Sequence, residues 1–176
     1  MPATDGWFVV NVRDAAWLTN DTFGARCVFE GDAPVVRGTD LGVHRFADVG
    51  FSLNVIEPGR PSTLYHAESN QEDFLVLAGE CLALVEGEER HLYAWDFVHC
   101  PPGTEHAFVG AGTRPCVMLA MGARAGEKNI VYPASDLARR HGAGVETETS
   151  SPTQAYAPFA HWQRGRPTSW DALPWA

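Results

Sequence analysis

The chain has 176 residues, of which 45% are hydrophobic and 20% are charged, a composition typical of one globular domain with a modest extension. Its 22 acidic residues outnumber the 13 lysines and arginines, so the formal net charge at pH 7 is −9. Such a chain repels a phosphate backbone, and no nucleic-acid partner is predicted. Charges or glycines interrupt every apolar run well before the roughly 20 residues that a membrane span needs, so no membrane partner is predicted.

Neither a leader segment nor a redox motif is predicted. The first 17 residues contain no basic region followed by an apolar region, so we expect a cytoplasmic protein. No two cysteines form a Cys-x-x-Cys pair, which leaves a zinc ribbon or a thioredoxin-like motif without support. We interpret all four as free thiols, mostly buried as small hydrophobic side chains. They are Cys27, Cys81, Cys100 and Cys116.

The N-terminal part, residues 1–39, predicts strands and loops that pack on a barrel. Residues 8–12 and 25–29 are short apolar runs rich in valine and phenylalanine, which favour strands. The polar stretch 19–22 lies between them. We therefore expect two N-terminal strands.

Residues 40–123 predict the barrel core. Short apolar runs alternate with turn signals every 8 to 12 residues, a pattern typical of an antiparallel sandwich or barrel. One run ends at Pro58-Gly59, another ends at Gly79, and residues 80–96 read as two strands around a turn at 86–88. No segment in this stretch holds a helical apolar period for three turns. The fold class is therefore all-β.

Residues 124–176 predict a C-terminal extension. Residues 133–141 begin with proline and precede Gly142, the asymmetry of a short helix. The tail that follows is rich in proline and tryptophan, with Trp162, Trp170 and Trp175. Because three indoles are too apolar for a solvated end, we expect the tail to pack against the barrel or a second subunit.

A cluster of ionisable residues is the part of the sequence that indicates a chemical function. On a strand, side chains two positions apart share a face, so His66 and Glu68 point the same way, and Glu72 keeps that parity if the loop preserves register. Ionisable groups inside a small barrel are costly unless they are paired or bind a cation. Imidazoles with a carboxylate suit Fe(II), Mn(II), Ni(II) or Zn(II).

Two segments resemble the two motifs of the cupin superfamily. In the first, Gly59 is followed by six residues, His66, one residue, Glu68, three residues, Glu72, six residues and Gly79. In the second, Trp95 is followed by five residues, Pro-Pro-Gly at 101–103, two residues and His106, with Gly110 at the final motif position. The 15 residues between the motifs match the short spacing common in microbial cupins.

The resemblance implies a double-stranded β-helix, the cupin jelly-roll barrel of six to eight strands, with one divalent metal ion held by three histidines and a glutamate. By position, His66, Glu72 and His106 are the expected ligands. Glu68 stands where the family has its second histidine. It either ligates the metal, stays unligated beside a two-histidine, one-carboxylate triad, or marks a barrel without metal.

Two further departures affect the second motif. Trp95 replaces the motif glycine, which indicates a strand entry without positive φ and a bulky residue at the barrel wall. Gly110 replaces the motif asparagine.

His99 and Cys100 precede the Pro-Pro-Gly turn, and strand alternation places only one of them inside the barrel. Because cysteine is buried more often than histidine, a buried thiol and a histidine at the rim are favoured.

The resemblance favours a small metal-dependent enzyme, of the dioxygenase, isomerase or lyase type, that acts on a small oxygen-rich substrate. The metal is zinc, iron, manganese or nickel, and Glu68 serves as a ligand or as a general base. The alternative is a non-catalytic cupin that binds a small ligand or acts as a sensor, since a fold does not determine a reaction. Because cupins pair through sheet edges, we also expect a homodimer.

Overall fold

The computed structural model describes residues 9–29, 46, 48–124, 126 and 129–176. Over these residues the chain is built mainly of short antiparallel strands, in agreement with the all-β prediction. The strands are β1 (Trp17–Asn20), β2 (Gly24–Phe29), β3 (Val49–Ile56), β4 (Ala67–Glu68), β5 (Glu72–Ala78), β6 (Glu80–Val85), β7 (Glu88–Tyr93), β8 (Phe97–Cys100), β9 (His106–Gly110), β10 (Cys116–Ala123), β11 (Ile130–Val131) and β12 (Gln163–Arg164). Two short helices follow the barrel strands, α1 (Asp136–Arg140) and α2 (Pro152–Tyr156), and a 3₁₀ turn forms at Trp170–Ala172.

Two main sheets form the jelly-roll barrel. The larger sheet has the strand order β12-β1-β2-β3-β10-β5-β8, and the smaller has the order β7-β6-β9. A two-stranded ribbon, β4 with β11, completes the architecture. The strands of one sheet are not consecutive in sequence, so residues distant along the chain meet inside the barrel.

The two faces of the larger sheet bury different residues. Arg26 lies opposite Asn54, which lies opposite Met118, and Met118 packs in the barrel interior with Phe74 and Phe108. This face is therefore the inner one. Alternate positions of the same strands form a second core on the outer face. Its central members are Cys27, Leu53, Val55 and Val117.

The turn between β6 and β7 confirms the hairpin expected at residues 86–88. Glu86 and Gly87 have φ values of 49° and 77°, so both adopt left-handed backbone. Two central residues with positive φ form a tight turn whose twist matches that of the flanking strands. Val85 therefore pairs directly with Glu88.

The predicted helix forms, but it begins later than the sequence pattern indicates. The side chain of Ser135 accepts a hydrogen bond from the Ala138 amide, so α1 starts at Asp136 rather than at Pro133. Gly142 follows the helix with φ +69°, as its position predicts. Helix α2 was not predicted, although Ser151 caps it and Pro152 opens it.

The tryptophan-rich tail packs against the barrel, which is one of the two expected outcomes. The rings of Trp170 and Trp175 lie 5.6 and 5.5 Å from that of Trp17, and all three join the outer core. The tail covers the outer face of the larger sheet and shields it from water.

The expected strand at residues 8–12 is wrong over its described part. Phe8 lies outside the described residues, and residues 9–12 form no strand. Val9 is 82% exposed, and the Val12 carbonyl accepts a hydrogen bond from the Trp17 indole at 2.8 Å. This segment therefore runs over Trp17, and the first strand of the sheet is β1.

The boundary predicted between residues 39 and 40 lies outside the described residues, and the division of the chain into three parts stays a prediction.

All four cysteines are buried and free, as expected. Among the residues that the structure describes, no helix combines the length and apolarity needed to cross a membrane.

The expectation for Trp95 is wrong. Its φ is +78°, so the tryptophan adopts the backbone conformation of the glycine that it replaces. The turn explains this, because the Trp95 amide donates to the Val76 carbonyl at 2.7 Å and the Asp96 amide donates to that of Tyr93 at 3.0 Å. The indole does not fill the barrel wall; the residue is 74% exposed.

Replacing Trp95 tests the strain at this turn. We expect Trp95→Gly to be more stable to unfolding than Trp95→Ala by about 1 kcal/mol, because glycine adopts positive φ without a steric cost. Both variants lack the indole, so their difference isolates the backbone. Urea denaturation of the two proteins measures it; equal stability would show that the turn carries no such strain.

Candidate metal centre and cavity

The two motif histidines face each other across a direct backbone pairing. The His66 amide donates to the His106 carbonyl at 3.1 Å, and the His106 amide donates back to the His66 carbonyl at 2.8 Å. Residues paired in this way project their side chains from the same face. The two imidazole rings consequently lie 4.8 Å apart, centre to centre.

Backbone carbonyls set the orientation of both imidazoles. Nδ1 of His66 lies 2.7 Å from the Leu64 carbonyl, and Nδ1 of His106 lies 3.0 Å from the Thr104 carbonyl. Because a carbonyl oxygen only accepts hydrogen bonds, each Nδ1 carries the hydrogen. In a neutral ring this leaves the lone pair on Nε2, which is the arrangement found in metal-ligating histidines.

Glu72 closes the cluster from the first residue of β5. One of its carboxylate oxygens, Oε2, lies 3.7 Å from Nε2 of His66 and 3.4 Å from Nε2 of His106. One donor atom from each of the three residues lies within 4.8 Å of the other two. Both histidines are buried and Glu72 is nearly so. The three residues expected as ligands thus converge on one point.

The electrostatics of the cluster suit a cation. Burial, helped by the charge of His66, lowers the pKa of His106 to about 4, so this imidazole is neutral at neutral pH. Burial also opposes the charged form of His66, but Glu72, the Leu64 carbonyl and Glu68 outweigh it and raise the pKa of this residue. A proton on His66 and a metal ion would therefore compete for the same electron-rich site.

Glu68 lies beside the cluster. Its Oε1 is 3.8 Å from Nε2 of His66, and the residue is buried. It does not belong to the group of three donor atoms that lie within 4.8 Å of one another. Whether it is a ligand or a base stays a prediction. Glu68 lines, together with His66, the cavity that is described below.

Of the two residues before the Pro-Pro-Gly turn, the cysteine points inward. Cys100 is buried in the barrel core, and burial together with the charge of Glu72 raises its pKa to about 12, so it remains a thiol. The His99 side chain is 50% exposed, and its Nδ1 lies 2.6 Å from the Asp73 carboxylate. Neither residue lines the cavity described below.

The glycine at the end of the second motif has a steric cause. A Cβ atom at Gly110 would lie 2.2 Å from the Glu57 carbonyl oxygen. Gly59 and Arg60 hold that chain in place, since the Gly59 amide donates to the Gly110 carbonyl and the Gly110 amide donates to that of Arg60. The close approach leaves no room for the asparagine of the motif at this position.

A cavity of about 830 Å³ opens beside His66, which is the member of the cluster that lines it. His66 and Glu68 lie at its barrel side, and the C-terminal extension forms much of its wall. The other lining residues used below are Arg26, Tyr132, Tyr156 and Trp162. None of these four was predicted as a site residue. For the three aromatic residues the apolar character of the C-terminal extension was the available signal, but it did not show which face of the barrel each would meet. For Arg26 the sequence offered no signal.

Comparison with protein families supports the motif assignment. Residues 52–122 match the family model of the cupin domain. The matched segment contains both histidines, Glu68 and Glu72. The chain therefore contains a domain of the cupin superfamily, as the two motifs predicted. A comparison with curated proteins finds no match.

Two solved structures show the same fold, and a third is similar to part of the chain. A sugar phosphate isomerase of the cupin superfamily from Silicibacter pomeroyi aligns with a TM-score of 0.57 over 93% of this chain and 98% of its own, at 19% identity. An RmlC-like cupin from Shewanella frigidimarina aligns with a TM-score of 0.52 over 69% of this chain and 94% of its own, at 16% identity. A proposed sugar phosphate isomerase from Acidithiobacillus ferrooxidans is 32% identical over 49% of this chain, with a TM-score of 0.47, and the present chain spans 56% of its length.

Proposed function

We propose that this protein is a metal-dependent cupin enzyme that acts on a small oxygen-rich substrate, by dioxygenase, isomerase or lyase chemistry. His66, Glu72 and His106 would hold one divalent transition metal ion. The observation that carries the proposal is the convergence of these three donor atoms within 4.8 Å. One of the three residues, His66, also lines a cavity. Two imidazoles with a carboxylate suit zinc, iron, manganese or nickel.

The donor chemistry supports a cation at this point. Nε2 of neutral His106 presents a lone pair toward a carboxylate oxygen of Glu72 only 3.4 Å away. Two electron-rich atoms at that distance repel each other, and a cation coordinated by both replaces the repulsion with attraction. A bound divalent ion there supplies Lewis-acid polarisation of a substrate carbonyl or hydroxyl oxygen.

The chain's own residues provide the surroundings for that chemistry. The aromatic wall from Tyr132, Tyr156 and Trp162 restricts water at the cavity and positions a small molecule over His66. The Tyr156 hydroxyl is held in place, since it accepts a hydrogen bond from the Leu64 amide at 3.2 Å. We assign to Glu68 the acceptance of a substrate proton, because its carboxylate lines the same cavity.

Removing one imidazole tests the metal centre. We expect His106→Ala to weaken binding of Zn²⁺ or Mn²⁺ by more than about 100-fold, since a donor is lost outright. His99→Ala is the matched control, because His99 pairs with Asp73 outside the cluster and should leave metal affinity unchanged. Isothermal titration calorimetry on metal-free protein measures both. Equal affinities in the two variants, or no metal binding by the parent protein, would refute the proposed centre.

Replacing the two glutamates separates the roles of ligand and base. We expect Glu72→Gln to lose more than about 100-fold in metal affinity and Glu68→Gln only about tenfold, since Glu68 acts on the metal through its nearby charge. Metal titrations of both variants make the comparison. Equal losses would show that Glu68 is a fourth ligand, and the assignment as a base would then be wrong.

We further propose that two copies of the chain form a dimer through the end of the larger sheet. Strand β8 is its last strand in the described part of the chain. Phe97, the first residue of that strand, is 58% exposed, and Trp95, just before the strand, is 74% exposed. Apolar side chains on an open sheet edge favour pairing with another chain.

Sedimentation equilibrium tests the association. We expect the parent protein to have twice the chain mass at micromolar concentration and Phe97→Glu to be a monomer, because a buried charge opposes an apolar contact. Val9→Glu is the control, since Val9 is also exposed but precedes β1 and does not belong to β8. A monomeric parent protein would refute the dimer.

A further inference from the structure

We propose that Arg26 makes the cavity beside the metal centre selective for an anion, so that the substrate carries a carboxylate or a phosphate group. The Arg26 guanidinium would bind that group while the oxygen-rich remainder of the molecule reaches His66. The inference rests on the proposed function only in placing the substrate in this cavity; the presence of an anion subsite stands on Arg26 itself.

The position of Arg26 follows from strand register. It lies in the middle of β2, opposite Asn54, on the face of the sheet that packs the barrel interior. An outward residue at this point would meet the outer core. Arg26 instead lines the same cavity as His66 and Glu68.

Within the described residues Arg26 has no anionic partner. Its guanidinium carbon lies 4.1 Å from the centre of the Trp162 ring, so one face of the group is covered by the indole. Its Nε atom is buried and has no hydrogen-bond partner. No carboxylate of the described chain lies within ion-pair distance of it, whereas Arg90 pairs with Glu88 and Arg139 with Asp136.

The position of the Arg26 guanidinium has a cost in the free energy of folding. Burial lowers the pKa of Arg26, yet a guanidinium remains charged at any physiological pH. Arg26 is only partly buried, so water relieves part of the cost of its charge, and a ligand anion would offset the remainder. A charged group that lacks a partner and lies in a cavity beside a candidate metal centre is a candidate for binding the substrate.

The geometry of arginine indicates the chemical class of the ligand. A planar guanidinium donates two parallel hydrogen bonds to a carboxylate or a phosphate, and stacking on Trp162 leaves its edge available for them. A neutral polyol would leave the charge uncompensated. Because the chain carries a net charge of −9, an anion also needs a local positive group in order to bind.

Anion titrations test the subsite, with inorganic phosphate and succinate as probes. We expect at least one of them to bind the parent protein, with or without Zn²⁺, and to bind Arg26→Gln at least tenfold more weakly. The probe that binds more tightly distinguishes a phosphate from a carboxylate ligand. The control is Arg166→Gln, because Arg166 also stacks on a tryptophan, at 4.3 Å from the Trp170 ring, but does not line this cavity.

Two outcomes would overturn the inference. One is that neither anion binds, or that Arg26→Gln binds both as tightly as the parent protein. The other is that binding depends only on Zn²⁺, which would place the anion on the metal. Anion binding by a parent protein that binds no metal ion would instead refute the proposed centre and leave the subsite standing.

A stability measurement separates recognition from a structural role. We expect Arg26→Met to melt at the same temperature as the parent protein or higher, because it removes a partly buried charge without a carboxylate partner and keeps an apolar contact with Trp162. Its metal affinity should also equal that of the parent protein. A large fall in melting temperature would show that Arg26 serves the fold, and the proposal would then be wrong.

Discussion

The reciprocal pair of backbone hydrogen bonds between His66 and His106 is the constraint on which the candidate metal centre depends. It joins two segments that are 40 positions apart and projects both imidazoles from one face, while the Leu64 and Thr104 carbonyls turn each ring so that Nε2 faces Glu72. The candidate centre is therefore positioned by a single backbone bridge between these two segments. A substitution that shifts this pairing by one residue would move a histidine to the opposite face.

The C-terminal extension contacts the larger sheet on both its outer and its inner side. Trp170 and Trp175 cover the outer face of the larger sheet and supply its second core. The segment around Tyr156 and Trp162 reaches the inner side and forms a wall of the cavity. The barrel thus provides the candidate ligands, and the extension provides much of the surface that a substrate would meet. This division explains how barrels with similar metal-binding motifs can take different substrates.

Several predictions from the sequence depended on local chemistry, and these agree with the structure. The spacing of the two motifs predicted the cupin barrel, the turn at Glu86 and Gly87 was predicted from its residues, and the buried state of the cysteines followed from their hydrophobicity. The failures occurred where tertiary contacts prevail. Hydrogen bonds from the turn hold Trp95 at positive φ, although its side chain disfavours this conformation. The apolar run before Val12 forms no strand over its described residues.

The amino-acid pattern alone determined that this chain forms a barrel and that His66, Glu72 and His106 are the residues to examine, because strand periodicity and motif spacing are local properties. Only the tertiary structure decided that Cys100 rather than His99 faces inward, that Gly110 has no room for a side chain, and that Arg26 shares a cavity with the histidines. Each of these depends on strand register and on the path of the C-terminal extension. Both are set by contacts between residues far apart in the chain, which no short stretch of sequence encodes.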